Sequence, residues 1–226
     1  NIKKRPEEVI KILKKLSNDY KSYNNSNREK FYYKQRENFN DLISNKDYGP
    51  SNTALLLFLN RTCFNGVYRE NSGGKFNVPH GKYSHSKDKD TIVRENFILE
   101  ASKALRKTKI YNYDFYKIIE KAKKGDFFYI DPPYMPLTNT AHFTMYDKSG
   151  FGKSDQIRLR MAIEELHKKG CYILFNNSDQ KFIRDLYSNN VLYPSSFKRN
   201  VARGNRAVNS KASGRGKINE LIITNY

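Results

Sequence analysis

Pro132 and Pro133 stand side by side directly after the apolar run Phe127-Phe128-Tyr129-Ile130, flanked by Asp131 and Tyr134. Proline lacks a backbone donor and fixes φ, so two in succession end any strand that precedes them. The run before them has the length and content of a buried strand. The segment therefore predicts a strand over 127–131 whose carboxyl end bears a carboxylate, a backbone without N–H groups over two residues, and an aromatic ring. In open α/β sheets ligands bind at the carboxyl ends of strands. A plainer account also exists, in which Asp131 caps a turn and the prolines only stop the strand.

The rest of the chain reads as helices followed by an α/β texture. Pro6-Glu7-Glu8 makes a good first helical turn, and Val9, Ile10, Leu13 and Leu16 form a stripe at helical spacing, predicting a helix over 6–20. Residues 21–50 are polar and poorly periodic. Thr53–Leu59 reads as a buried helix. Over 64–83 glycines alternate with Val67, Tyr68, Phe76, Val78 and Tyr83, predicting a hairpin that turns at Ser72-Gly73-Gly74; such a ribbon fits a DNA groove. Val93, Phe97, Ala101 and Leu105 at steps of four predict a helix over 91–107. Strands are expected at 109–113, 127–131, 171–176, 191–197 and 219–225, and helices at 115–124, 154–169 and 180–189. Lys168-Lys169-Gly170 has the signature of a helix carboxyl end.

Charge narrows the partner. The 226 residues carry 42 Lys and Arg against 23 Asp and Glu, a net charge of +19, far beyond what solubility requires. A polyanion is the natural partner, and nucleic acid comes before an anionic membrane surface. No stretch approaches the roughly 18 apolar residues of a spanning helix, and the amino end shows no signal-peptide pattern. The basic excess is concentrated: Lys198, Arg199, Arg203, Arg206, Lys211, Arg215 and Lys217 lie between Tyr187 and Asn219 without one acidic residue. Cys63 and Cys171 are far apart among apolar neighbours and read as buried free thiols, which suits a reducing cytoplasm. The four histidines share no spacing with them that resembles a zinc site, so no metal is assigned.

The strand end suggests a reaction. An exocyclic aromatic amine such as that of adenine is a poor nucleophile because its lone pair is delocalised into the ring. A carboxylate accepting one amino hydrogen and a fixed backbone carbonyl accepting the other would draw the nitrogen toward tetrahedral geometry and expose that lone pair. Asp131 and the Pro132 carbonyl suit those roles, and Tyr134 suits stacking on the base. Nucleotide hydrolysis has no comparable support: Gly150-Phe151-Gly152-Lys153-Ser154 ends like a phosphate-binding loop, but the pattern requires glycine where Asp147 stands.

With these residues in view, the chain resembles the DNA adenine methyltransferase (Dam) family, which methylates adenine in GATC. The resemblance rests on Leu59–Arg69, Phe76–Tyr83, Asp131–Tyr134, Phe143–Tyr146, Gly150-Phe151, Asp155-Gln156, Asn176–Asp179 and Arg215–Leu221. It implies a Rossmann-like α/β core with an inserted helical and hairpin recognition domain, here residues 1–104, followed by the carboxyl-terminal part of the core, 105–226. It implies S-adenosylmethionine as cofactor and double-stranded DNA as partner, with Asp131, Pro132, Pro133 and Tyr134 carrying catalysis. Asp114, Phe115 and Asp131 would bind the cofactor, although Tyr113 stands where glycine is common. In the hairpin, Arg69 would read a guanine edge, Phe64, Asn65 and Val67 would wedge into the duplex around a flipped base, and Pro79 would meet bases from the other arm. Lys198 and Arg199 are assigned to phosphates.

One departure from the pattern matters. The family's glycine loop for S-adenosylmethionine, and a lysine-bearing motif before it, occur nowhere in residues 1–226. The expectation is that an amino-terminal part of the core precedes Asn1. The alternative is a sequence-specific DNA-binding module without catalysis. Methylation of RNA is disfavoured by the hairpin, and methylation of cytosine by the aspartate, where such enzymes carry serine. Whether the protein acts alone or within a restriction-modification pair, and in what oligomeric state, the sequence leaves open.

Overall fold

The computed structural model describes residues 1–81, 92–134, 151–188, 197–206 and 216–226. They form two compact units, Asn1–Tyr111 and Asn112–Tyr226.

In the first unit, α1 (Pro6–Ser22) starts at proline with Glu7 and Glu8 in its first turn, and buries Val9, Ile10, Leu13, Leu16 and Tyr20. The segment that looked aperiodic is a helix, α2 (Asn25–Ser44), whose Asn24 side chain caps the Asn27 amide. It buries only Tyr32, Gln35 and Phe39, a stripe too narrow to stand out against a mostly polar surface. α3 (Pro50–Thr62) supplies Ala54, Leu55, Phe58 and Leu59 to the same core. α4 is shorter than predicted, Glu95–Ala104, because Arg94 is left-handed (φ 44°) and breaks the path from Ile92 and Val93. The buried residue of α4 is Ile98, and Phe97 is 71% exposed. Steps of four overshoot a 3.6-residue turn by about 40° each, so that spacing follows a face that drifts off the core.

The hairpin forms, but as isolated bridges rather than regular strands, pairing Glu70 with Phe76 and Cys63 with His80. The turn closes through the Asn71 amide on the Lys75 carbonyl (2.9 Å). It is fastened to α2 by side chains: Asn40 donates to the Phe76 carbonyl (3.1 Å) and accepts from the Phe76 amide (2.8 Å), while Tyr32 and Arg36 donate to the Val78 carbonyl. Asn40 thus stands in for a neighbouring strand. Asn40→Ala would leave both polar backbone groups of buried Phe76 without these partners, and is expected to lower the unfolding free energy by about 2 kcal/mol. Urea denaturation checks this as a reduced midpoint at unchanged slope.

The second unit is mixed α/β with a small mixed sheet. A 3₁₀ helix (Phe115–Lys121) leads to β1 (Phe127–Ile130), followed by α5 (Lys153–Lys168), β2 (Tyr172–Ser178), α6 (Lys181–Leu186), β3 (Lys198–Arg206) and β4 (Gly216–Thr224), in sheet order β1-β2-β4-β3. β1 runs parallel to β2, and β4 is antiparallel to both its neighbours. Gly170, at φ 77°, ends α5 in the left-handed conformation foreseen for it. Cys63 and Cys171 are buried free thiols.

Several expectations are corrected. Residues 109–113 form no strand; Ile110, Tyr111 and Tyr113 are exposed, with no sheet face among the described residues to bury them. The helix expected over 115–124 is the tighter 3₁₀ turn, and of that expected over 180–189 the described residues form α6 alone, residue 189 lying outside them. Of the strand expected over 191–197, residues 191–196 lie outside the described residues, and β3 begins at Lys198. β1 is not buried on both faces. Phe128 and Ile130 pack on the core, whereas Phe127 (58% exposed) and Tyr129 (59%) share the opposite face with Tyr172 and Tyr226. Alternation along an edge strand with one packed face produces this split.

Candidate functional site

Parallel pairing with β2 carries β1 through Ile130, opposite Phe175, and the two prolines then end it. Asp131 therefore emerges at the sheet's carboxyl edge as an exposed carboxylate, with Tyr134 half-buried beside it. The Tyr134 phenol is pushed up to about 12 by burial first, then by the negative charges of Glu220 and Asp131, and by hydrogen bonding to Asp131. Its hydroxyl therefore keeps its proton near neutral pH and acts as a donor toward Asp131. Behind the prolines, Gln156 Nε2 donates to the Pro133 carbonyl (3.1 Å), and Asn177 Nδ2 donates to Gln156 Oε1 (2.9 Å). Both amide side chains are fully buried.

The same helix meets the second group. Arg158, two residues beyond Gln156 on α5, places Nη2 at 3.0 and 3.1 Å from the two Asp114 oxygens. Residues two apart on a helix point in widely different directions, so α5 reaches the strand end with one side chain and Asp114 with another. Asp114 also accepts the Tyr116 amide (3.0 Å) at the head of the 3₁₀ turn. That hydrogen bond, and then Arg158, holds its carboxyl below the usual range. Phe115 lies under the Arg158 guanidinium (5.2 Å) and against Phe151 (5.7 Å).

In the first unit the hairpin gathers the residues assigned to DNA. The Phe64 amide donates to the Pro79 carbonyl (2.9 Å), joining the two arms, and both residues are exposed. Asn65 (φ 56°) and Gly66 (φ 60°) take the left-handed turn that asparagine and glycine tolerate best. Asn60 holds it by donating to the Gly66 carbonyl (2.7 Å). Val67 packs on the core. Arg69 is exposed yet fixed: Nε donates to Asn77 Oδ1 (2.7 Å) and Nη2 to the Asn77 carbonyl (3.3 Å). On β3, Lys198 and Arg199 are exposed, and Arg199 lines an open groove of about 390 Å³ with Asp179, Arg184, Phe197, Val201 and Leu221.

Comparison with known proteins identifies the class. A family model described as D12 class N6 adenine-specific DNA methyltransferase matches residues 1–201. The chain belongs to that family. It is 34% identical to the type II methyltransferase M1.LlaDCHI of Lactococcus lactis subsp. cremoris over 227 residues, spanning 100% of this chain and 74% of the relative. M.MjaIII of Methanocaldococcus jannaschii is 37% identical over the same spans. The DNA adenine methylase of Serratia marcescens is 33% identical over 98% of this chain and 74% of its own length. The protein is thus an adenine-specific DNA methyltransferase, with DNA as substrate and a methyl-donor cofactor.

Among the described residues of this methyltransferase, no three His, Cys, Asp or Glu side chains gather as a metal site, and no helix is long and apolar enough to cross a membrane. Several side chains around the two candidate sites were given no role from the sequence: Arg158, and Asn77, Glu220 and the two buried amides, which lie within the stretches that carry the family resemblance. For the amides a signal existed. Asn177 falls on the inward face of β2 after Ile173 and Phe175, and Gln156 begins the α5 stripe of Leu159, Ile163 and Leu166. A polar residue interrupting an apolar stripe on both partners marks a buried hydrogen bond.

Proposed function

We propose that this methyltransferase transfers methyl from S-adenosylmethionine to the exocyclic amine of adenine in GATC, with the target base turned out of double-stranded DNA inside the cell. The observation that carries the reading is the strand end: an exposed Asp131 followed by a proline pair whose backbone is tied down from behind. Asp131 accepts one amine hydrogen and the Pro132 carbonyl the other, while Tyr134 stacks on the base. A paired base cannot reach this edge, so extrusion costs a few kcal/mol, which the wedge residues Phe64, Asn65 and Val67, with Pro79, offset. Arg69, held side-on by Asn77, presents its remaining guanidinium donors for a bidentate contact with guanine.

S-adenosylmethionine supplies an electrophilic methyl carried on a sulfonium. Asp114 and Phe115 fit its adenosine part: a carboxylate has about four lone-pair directions, not all used by Tyr116 and Arg158, and the half-buried Phe115 ring offers a flat apolar face. The exposed aromatic face of Phe127, Tyr129, Tyr172 and Tyr226 supports a further reading, that the remaining, glycine-loop part of a Rossmann-like core packs there, with the helical and hairpin unit as its inserted recognition domain.

Transfer of label from S-adenosylmethionine to a GATC duplex, and not to one in which the central adenine is thymine, tests the site. A fluorescence rise from 2-aminopurine at the target position tests extrusion. Lys198→Ala and Arg199→Ala are each expected to weaken binding about equally for all sequences. Each should also reduce the log–log salt slope by about 0.9, measured by titration at several salt concentrations.

A further inference from the structure

Three amides in series lead from the backbone of β2 to the back of the proline pair. The Ser178 amide donates to Asn177 Oδ1 (2.8 Å), Asn177 Nδ2 donates to Gln156 Oε1 (2.9 Å), and Gln156 Nε2 donates to the Pro133 carbonyl (3.1 Å). The chain has a direction. A backbone N–H only donates, so Asn177 must turn its oxygen to Ser178 and its nitrogen to Gln156; Gln156 must then turn its oxygen to Asn177 and its nitrogen to Pro133. Reversing either side chain would set donor against donor at one contact and acceptor against acceptor at another. Both amides are fully buried, so no water resolves such a conflict cheaply.

We propose that Gln156 and Asn177 are positioning residues for methyl transfer, a directional amide relay that orients the Asp131-Pro132-Pro133-Tyr134 backbone from behind. The proposal rests on the reading that this strand end holds the target amine. The Pro-Pro pair has no N–H of its own with which to be tied down, so its one means of backbone anchoring is as an acceptor. Successive carbonyls in an extended proline segment point in fixed, different directions. Holding the Pro133 carbonyl therefore sets where the Pro132 carbonyl, one residue earlier, faces the amine.

Gln156→Met keeps the length and volume of the side chain without its donor. In the full-length protein, single-turnover methyl transfer at saturating duplex and S-adenosylmethionine should fall about tenfold, with KM for DNA and the dissociation constant for a GATC duplex within twofold of wild type. Assayed at a pH where the new carboxyl is ionised, Asn177→Asp leaves the Ser178 bond intact but offers Gln156 only acceptors, so Gln156 is driven to turn its oxygen toward Pro133. It should match the Gln156→Met rate although Gln156 is still present. By NMR, the Gln156 side-chain amide protons are expected to show a hydrogen-bond coupling to the Pro133 carbonyl carbon in wild type and none in Asn177→Asp, where they face position 177 instead. A wild-type rate in Gln156→Met overturns the relay, as does a parallel loss of rate and DNA affinity, which marks a general folding role. Asp131→Ala measured alongside separates the two readings: if it too retains the wild-type rate, the strand end is not the reaction site, while the coupling to the Pro133 carbonyl still decides whether the relay exists.

Discussion

Asp131→Ala is expected to lower the single-turnover rate of adenine methylation by about 100- to 1000-fold while leaving duplex affinity close to wild type. The magnitude is that of removing one preorganised group from the place where charge changes in the transition state. The carboxylate is exposed, so its loss opens no cavity in the core, and the Tyr134 hydroxyl that loses its acceptor is only half-buried. Asp131→Asn should fall between the two, because an amide keeps one acceptor oxygen but loses the charge that strengthens the bond. Removing Asp131 also takes away a charge and a hydrogen bond that raise the Tyr134 pKa, so that value should drop from about 12. Burial and Glu220 still act in the same upward direction, so the phenol stays protonated near neutral pH and the rate loss cannot come from its ionisation. Quench-flow measurement with labelled S-adenosylmethionine, beside a binding titration on the same duplex, checks the split between rate and affinity.

Arg69→Ala is expected to act on choice rather than chemistry. A bidentate contact to guanine is worth about 1–3 kcal/mol of discrimination against the wrong base, so the preference at one base pair should fall about 5- to 150-fold. The rate on duplexes altered at that pair should approach the rate on GATC. Asn77 has a secondary part in this, because it takes Arg69 Nε and with it one edge of the guanidinium. Asn77→Ala should weaken the same preference less than Arg69→Ala does, since the cation remains but is no longer held in one orientation. Competition among duplexes that differ at each position of the site checks both. A preference unchanged in Arg69→Ala would remove it from sequence reading.

The contrast between legible and hidden features has a common cause. Strong local rules were visible: Pro6 with two glutamates starts α1, Gly170 ends α5, and Pro132-Pro133 stops β1. The hairpin was visible because its turn residues and alternating apolar positions are local, although the pairing that holds it is sparse. α2 was missed since its buried residues are three in twenty, and its main task is to offer Asn40, Tyr32 and Arg36 to a chain segment about 40 residues away. The segment 109–113 misled for the opposite reason. Its aromatic and β-branched residues favour a strand, but strand propensity is realised only where a neighbour and a face to bury exist.

The sequence by itself determined the chemistry on offer. The order Phe127 to Tyr134 dictates that an apolar strand ends in a carboxylate and a proline pair, and the charge of +19 calls for a polyanion. These follow from covalent geometry and composition, which need no distant partner. Only the tertiary structure decided what stands behind that strand end, because a side-chain amide takes its direction from whichever donor or acceptor it meets. Gln156, Asn177 and Pro133 are separated by 21 to 44 positions in the chain, yet α5 and β2 bring them into a single hydrogen-bonded line.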